Sequence, residues 1–333
     1  MAQLVLGIGT SHSPLLALSS SQWVHRAEVD RGNPELNLSC GRRLDYAQLL
    51  AEVGPLYEAE ISAAVLADKE KACQQALDRL ADELAGAAPD VVVIVGDDQS
   101  ELFGPHNQPT LAIFHGGQLD TFEGKYATAD APAWMRQVGE GYLMERSHQA
   151  PADAAFGRRL IEGLMREHVD VSSVAHVADP RQAGFGHAYG FVIKRLFRER
   201  RMPVVPIMLN TYYPPNVPTS ARCYDIGAAL RRTLDAMPDD TRVAVVASGG
   251  LSHFVVDAAL DRRVLRALAE HDVDFLRSVP PQALQSGSSE ILNWILVAGA
   301  VAPLPMAWCE YQPLYRTPAG TGVGVAFCAW RAP

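Results

Sequence analysis

The segment VVVIVGDDQS, residues 91–100, decides the fold class of this 333-residue chain. Its first five residues are β-branched and apolar without alternation, which is typical of a strand covered on both faces. The glycine and polar residues that follow, from Gly96 to Ser100, mark the end of that strand. A strand covered on both faces indicates a sheet between two layers of helices.

Similar segments recur on either side of it. Short apolar runs predict further strands at Leu4–Ile8, Thr110–Phe114, Val204–Leu209, Val243–Ala247 and Gly322–Ala329. Helical periodicity predicts helices at Lys69–Ala85, Ala155–His168, Ala188–Arg198, Tyr224–Ala236, Asp261–Ser278 and Ser289–Ala300. We therefore expect an α/β fold whose central sheet is mostly parallel or mixed, with helices on both faces and an active site at the strand carboxyl ends.

The whole chain, residues 1–333, is interpreted as one catalytic domain, because it contains no repeat, low-complexity tract or long linker. Residues 15–67 are polar and weakly patterned. They are expected to form an insertion or a lid over the site, or a surface excursion that does not contact it.

Composition excludes several classes of protein. Hydrophobic residues make up 48% of the chain and charged residues 20%, as in a globular protein. The net charge of −9 argues against nucleic acid as a partner. No apolar run reaches the roughly 18 residues of a membrane helix, and the N-terminus lacks a basic leader pattern. Five scattered cysteines without a CxxC pair indicate neither a disulfide framework nor a zinc site, so we expect a reduced, cytoplasmic protein.

Polar, titratable residues follow three of the predicted strands. His12 follows the first strand, the series Asp97, Asp98 and Gln99 follows the second, and His253 follows the strand at Val243–Ala247. Each has a structural alternative, namely a capping histidine or a turn carboxylate. A dinucleotide site is rejected, because His12 occupies the third glycine position of GxGxxG. The recurrence at strand ends favours a metal or acid–base site.

Two helix starts carry further candidates. His187 lies between glycines just before a predicted helix, where a capping role is the alternative. Glu290 lies in the first turn of another helix, where a carboxylate also stabilises the helix dipole.

Seven motifs, taken together and in this order, resemble the class III extradiol ring-cleaving dioxygenases related to the protocatechuate 4,5-dioxygenase β subunit. Within that family the chain is most similar to the 3-O-methylgallate dioxygenase branch. The motifs, spread over nearly the whole chain, are GIGTSHSP (7–14), VVVIVGDDQSELF (91–103), HAYGF (187–191), NTYYPPN (210–216), SARC (220–223), SGGLSHFVVD (248–257) and SGSSEILNW (286–294).

The resemblance implies a non-haem Fe(II) site with two-histidine, one-carboxylate ligation. His12 matches the first histidine ligand and Glu290 the carboxylate ligand. His253 matches the acid–base histidine, and His187 a second histidine that helps to bind or polarise the substrate and O₂. Contacts with the substrate are then expected from Tyr212, Tyr213 and Ser252.

Gln99 departs from the pattern of the protocatechuate enzymes, which carry histidine at that place; the 3-O-methylgallate branch carries Gln. Either the amide oxygen of Gln99 replaces the second histidine ligand, or another residue supplies it, or metal binding is lost. The local candidates are Asp98, Glu101 and His106.

The function expected from the resemblance is Fe(II)-dependent ring opening of a catechol-type aromatic acid by O₂. Gallate, 3-O-methylgallate and protocatechuate are the candidate substrates, and Arg42 or Arg43 is expected to pair with the carboxylate. A homodimer is expected from relatives. The alternatives are a Zn²⁺ hydrolase that uses His12, Asp98 and Glu290, and a metal-free protein that binds aromatic compounds.

Overall fold

The structure is a computed structural model that describes residues 1–124, 126, 128 and 130–332. Its strands are β1 (Gln3–Thr10), β2 (Leu36–Asn37), β3 (Arg43–Leu44), β4 (Val91–Asp97), β5 (Leu111–Phe114), β6 (Gln118–Asp120), β7 (Gln149–Pro151), β8 (Ser172–Val174), β9 (Val204–Leu209), β10 (Arg242–Ser248), β11 (His253–Val255), β12 (Met306–Tyr315) and β13 (Thr321–Trp330). Its helices are α1 (Val24–Arg31), α2 (Tyr46–Val53), α3 (Ala63–Ala87), α4 (Ala133–Gly141), α5 (Ala154–Arg166), α6 (His187–Leu196), α7 (Ser220–Asp235), α8 (Ala258–Glu270), α9 (Val273–Ser278) and α10 (Ile291–Val301).

Nine of the strands form one mixed sheet in the order β11-β13-β1-β10-β4-β9-β5-β8, with β12 also paired to β13. Its centre, β1-β10-β4-β9, is parallel. The carboxyl ends of these four strands therefore meet at one edge of the sheet. β13 runs antiparallel to β1, and the hairpin β12–β13 extends that side.

Apolar side chains of β4 project to both faces of the sheet. Val91, Val93 and Val95 pack into a core with α5, α7 and α10, whereas Val92 and Ile94 pack into a second core with α3 and α6. All five of these side chains are fully buried. Helices on both faces confirm the α/β fold expected from the sequence, and the unbroken apolar run of β4 is the cause.

The six predicted strands are present, with ends that differ by a few residues. The prediction of one helix over Asp261–Ser278 is wrong, because the chain breaks between α8 and α9. There His271 takes a left-handed conformation and the Asp272 carboxylate caps the backbone N–H of Phe275. β12 was not predicted, because its sequence MAWCEYQPLY begins with four apolar residues without alternation and contains Pro313, which is unusual inside a strand.

Residues 15–67 were expected to form an insertion or lid, or a surface excursion that does not contact the site. They form α1, α2, a small β2–β3 hairpin and short 3₁₀ turns, and they are held to the rest of the chain by buried contacts. Trp23 is buried and donates its indole N–H to the carbonyl of Leu15. Asp30 forms a buried ion pair with Arg316.

Cys309 and Cys328 form a disulfide, which corrects the expectation that all five cysteines are reduced. The two residues lie 19 positions apart and become partners because the β12–β13 register places them opposite each other. Cys40, Cys73 and Cys223 are free. In the described part of the chain, no helix combines the length and the apolar character of a membrane-spanning segment.

Candidate metal centre and its cavity

Five elements bring the candidate residues to the carboxyl edge of the sheet. β1 leads into His12, and its last residue, Thr10, lies opposite Ser248 at the end of β10. β4 ends at Asp97. His187 is the first residue of α6, and Glu290 immediately precedes α10.

One atom from each of His12, Asp97, His187 and Glu290 lies within 4.8 Å of the corresponding atoms of the other three. All four residues are buried. The imidazoles of His12 and His187 stack edge to face, with ring centroids 4.5 Å apart. Two imidazoles and two carboxylates in this arrangement are a donor set for a divalent cation.

The proton on His12 is positioned by its neighbour Ser248. The Ser248 hydroxyl donates its single hydrogen to the carbonyl of Ala188, 2.7 Å away. It can therefore only accept at the 3.0 Å contact with Nδ1 of His12, so Nδ1 carries the proton. The lone pair of His12 lies on Nε2, which faces the Glu290 carboxylate at 3.3 Å.

His187 is oriented in the same way by a carboxylate. Its Nδ1 lies 2.7 Å from Oε1 of Glu101, which accepts the Nδ1 proton and leaves the lone pair of His187 on Nε2. Glu101 is buried and lies behind the ring, where a carboxylate fixes the orientation of a metal-binding imidazole. Gly186 is required beside it, because a Cβ there would overlap the Glu101 carboxylate.

The two carboxylates of the cluster have opposite pKa shifts. Burial, followed by the neighbouring Glu290 charge, raises the pKa of Asp97. Burial alone would also raise the pKa of Glu290, but His12 and His253, when their imidazoles are protonated, and the backbone N–H of Gly250 lower it to about 2. Gly250 donates to Glu290 at 2.5 Å from a left-handed conformation that favours glycine.

These residues fit a divalent cation. Oδ1 of Asp97 is buried and has no hydrogen-bond partner among the described residues. The lone pair on Nε2 of His12 points at an ionised carboxylate oxygen. A cation between these groups satisfies both, and ligands at ~2.1 Å in octahedral geometry lie about 3 Å apart, close to the observed separation.

Gln99 reaches the cluster through its amide. Its Nε2 donates to Oδ2 of Asp97 at 3.1 Å and to Oε1 of Glu290 at 3.3 Å. In this orientation the amide holds the two carboxylates in place. The amide oxygen, which the family resemblance suggested as a ligand, does not face the two carboxylates.

The alternative local candidates lie outside the cluster. Asp98 is buried, but its carboxylate accepts the backbone N–H groups of Leu102 and Phe103. Burial, followed by the charge of Glu101, raises the pKa of Asp98 to about 7. His106 is exposed and lines a separate outer cavity. Glu101 supports His187 and does not contribute to the cluster itself.

His253 lines the cavity beside the cluster. Its Nδ1 lies 2.9 Å from the carbonyl oxygen of Leu251, which can only accept, so the free lone pair is on Nε2. Ser288 bonds both the backbone N–H and the carbonyl of His253. Burial lowers the pKa of His253, so its ring is neutral at pH 7. A neutral imidazole with a free Nε2 is a competent proton acceptor.

Ser252 is directed away from the cavity. Its hydroxyl donates to Oδ2 of Asp261 at 2.7 Å and its backbone N–H donates to Oδ1 at 3.0 Å. Tyr311 donates to the same carboxylate. The contacts of Ser252 therefore anchor the loop that carries His253, and Ser252 is not among the residues that line the cavity.

The cavity has a volume of about 220 Å³. It is smaller than the roughly 300–1,000 Å³ of sites for drug-sized ligands, and it suits one small ring. Tyr212 lines it. Tyr213 lies in the outer cavity, where its hydroxyl accepts a hydrogen bond from Ser100 at 2.9 Å.

Sequence reasoning missed two residues of this site. Asp97 was noted among the residues after the second strand, with a turn as the alternative, but it was not chosen as a ligand, although its place as the last residue of a buried strand was a usable signal. Arg26 lines the cavity, and its position in a polar helix gave no signal at all. Arg42 and Arg43 are exposed and paired with Glu52 and Glu35, which corrects their proposed contact with a substrate carboxylate.

Comparison with known proteins adds a family. A sequence profile of the family described as the catalytic LigB subunit of aromatic ring-opening dioxygenase matches residues 59–306. The chain is 34% identical over 105 residues to a gallate dioxygenase of Pseudomonas putida, covering 31% of this chain and 29% of that protein. It is 26% identical over 191 residues to a 2,3-dihydroxyphenylpropionate/2,3-dihydroxicinnamic acid 1,2-dioxygenase of Comamonas testosteroni, covering 57% and 51%. The chain thus spans about half or less of the length of these relatives.

Proposed function

The chain belongs to the LigB family of catalytic subunits of aromatic ring-opening dioxygenases, and on this premise we propose that it is an Fe(II)-dependent extradiol dioxygenase of a small catechol-type acid. The observation that carries the proposal is the buried cluster of two imidazoles and two carboxylates. In both imidazoles Nδ1 contacts a group outside the cluster, Ser248 for His12 and Glu101 for His187.

His12, His187 and Glu290 would hold the iron as two histidines and one carboxylate. Asp97 is the additional donor, and Gln99 orients both carboxylates through its amide. This assignment gives His187 the place of the second histidine ligand. Its orientation by Glu101 is the supporting observation, because metal-binding imidazoles are usually held by such a partner.

Bound there, Fe(II) would lower the pKa of a coordinated phenol and relay electrons from the aromatic substrate to O₂. The chain provides the proton transfers. Nε2 of His253 would accept the second phenolic proton, because its ring is neutral and Nδ1–H is engaged by the carbonyl of Leu251.

The proposed substrates are gallate, 3-O-methylgallate and protocatechuate. Their single ring suits the cavity of about 220 Å³, and Tyr212 lies on its wall for contact with that ring. The names of the two relatives support an aromatic acid with neighbouring hydroxyl groups, since both gallate and 2,3-dihydroxyphenylpropionate have this character.

Oxygen uptake tests the proposal. Protein purified without air and loaded with Fe(II) is offered each of the three acids in turn, with metal content measured on the same sample. Rapid uptake with loss of the aromatic absorbance is expected, and the preferred ring identifies the substrate. Iron-loaded protein that consumes no O₂ with any of them would overturn the assignment for these substrates.

The hydrolase alternative loses its ligand set, because Asp98 bonds to the backbone and lies outside the cluster. Metal analysis tests the metal-free alternative. The homodimer, the cytoplasmic location and the single domain over residues 1–333 stay predictions.

A further inference from the structure

Two arginines line the same cavity as the metal cluster. Arg26 comes from α1, within residues 15–67, and Arg316 follows the end of β12. Neither residue belongs to the sheet edge that carries the histidines. The arginines are positively charged, whereas the carboxylates of the cluster are negatively charged. The two arginines also differ in their ion pairing.

Arg316 forms an ion pair within the protein. Its Nε and Nη2 contact the two carboxylate oxygens of Asp30 at 2.7 and 3.0 Å, in a bidentate, buried arrangement. Its charge is therefore balanced by Asp30, and its Nε and Nη2 donors are engaged. Arg316 forms a fixed part of the cavity wall.

Arg26 has no such partner. Among the described residues, no acidic side chain forms an ion pair with Arg26 and no acceptor bonds its guanidinium; its Nε is buried and unsatisfied. The nearby positive charge of Arg316 adds repulsion, and Arg26 in turn contributes, after burial, to the lowered pKa of Arg316. A buried guanidinium donor without an acceptor is unfavourable unless a ligand supplies one.

The acceptor that fits is a carboxylate. A guanidinium presents parallel N–H donors that match the two oxygens of a carboxylate, and a bound anion also offsets the like charge of Arg316. The metal cluster is rich in carboxylates, so an anionic group of a ligand is favoured at the arginines and disfavoured beside Asp97 and Glu290.

We propose that Arg26 binds the carboxylate of the aromatic acid and thereby directs the ring hydroxyls to the metal cluster. The inference rests on the proposed function, which it deepens by assigning a specificity residue. It also makes residues 15–67 part of the active site, because α1 carries Arg26 into the cavity.

The test compares each aromatic acid with the compound that has the same ring hydroxyls but no carboxylate. Arg26→Gln and Arg26→Lys are assayed for O₂ uptake with protocatechuate against catechol, and with gallate against pyrogallol. Arg42→Gln is the matched control, since Arg42 belongs to the same segment but is exposed and paired with Glu52. Unchanged thermal melting establishes that each variant is folded.

Arg26→Gln is expected to lower kcat/KM for the acids by roughly 10- to 100-fold, the range of a lost charged hydrogen bond. The rings without a carboxylate should change little, Arg26→Lys should fall between, and Arg42→Gln should match the parent protein. If the preference for acids survives in Arg26→Gln while the parent protein turns over, the Arg26 inference is wrong and the dioxygenase assignment stands.

A binding measurement tests the role of Arg26 independently of the dioxygenase activity. Calorimetry on metal-free protein compares 3,4-dimethoxybenzoate with 1,2-dimethoxybenzene, neither of which can be cleaved as a catechol. Binding of the benzoate by the parent protein and not by Arg26→Gln supports Arg26 even if O₂ uptake fails. Equal binding of the benzoate by both proteins overturns the inference.

Discussion

The cavity has two walls that were built in different ways. The wall from the sheet edge consists of buried groups that hold one another, as in the Ser248–His12 and Glu101–His187 contacts. The wall from α1 and the end of β12 contains Arg26, whose guanidinium has no described partner. The difference indicates that the first wall is preorganised for an ion and for proton transfer, whereas the second is completed by its ligand.

The largest effect is expected from removing a ligand at the sheet edge. His12→Ala or Glu290→Ala should lower iron affinity by more than the roughly 100-fold that loss of an outer hydrogen-bond partner costs. O₂ uptake should fall to background. Iron content after dialysis is the measurement, with Arg42→Gln as control. Full iron occupancy in either variant would contradict the proposal that the sheet-edge wall binds the iron.

His253→Ala tests whether proton transfer and metal binding are separate within that wall. Iron content should be unchanged, because His253 is not in the cluster, while ring cleavage should fall by about 10²- to 10⁴-fold. Turnover at the normal rate would remove His253 from the mechanism.

The same variant has an expected pH signature. Burial lowers the pKa of His253 below its ordinary value of 6.5, so the neutral base is present at neutral pH and is lost only as the pH falls through this lowered value. The kcat/KM of the parent protein should decline as the pH falls through this value, and the residual activity of His253→Ala should not show that decline.

Glu101→Gln makes a smaller change behind His187. The amide still fills the space beside Gly186 but no longer provides a charged acceptor for Nδ1. Iron affinity should fall by roughly 10- to 100-fold. His187→Ala is the companion variant. If it keeps its iron and loses only ring cleavage, His187 acts on the substrate or O₂ as the family resemblance implies, and is not a ligand.

The smallest effect on activity is expected at Asp261, which anchors Ser252. Burial raises the pKa of Asp261 to about 7. The pKa of an aspartate in the unfolded chain is about 3.9. Between about pH 4 and pH 7 the folded protein therefore keeps a proton on Asp261 that the unfolded chain has released. This group therefore makes stability fall as the pH rises from about 4 to 7.

Asp261→Asn should remove that part of the pH dependence. Denaturant unfolding at pH 5 and pH 8 measures it, with Asp257 left intact as the cap of α8. If the free energy of unfolding of Asp261→Asn changes between pH 5 and pH 8 by as much as that of the parent protein, Asp261 is not the source of this pH dependence.

Much of the site could be predicted from the sequence, because its residues follow recognisable strands or precede helices. His12 and His253 were recognised as candidates in that way, whereas the ligand role of Glu290 was implied by the family resemblance. The structure places His12 and Glu290 in the cluster and His253 at the cavity beside it. Asp97 was missed because a carboxylate after a strand is also typical of a turn. Ser252 was expected at the substrate, but its contacts are with Asp261.

The sequence by itself determined the α/β fold and the edge of the sheet where the site lies, because apolar runs and the polar residues after them are local patterns. Only the tertiary structure decided which side chains meet there. Gln99 spans two carboxylates that are 193 positions apart in the chain, Cys309 pairs with Cys328 through strand register, and Arg26 enters the cavity from a polar helix. Burial, tautomers and unpaired charges depend on such long-range neighbours, which no local pattern encodes.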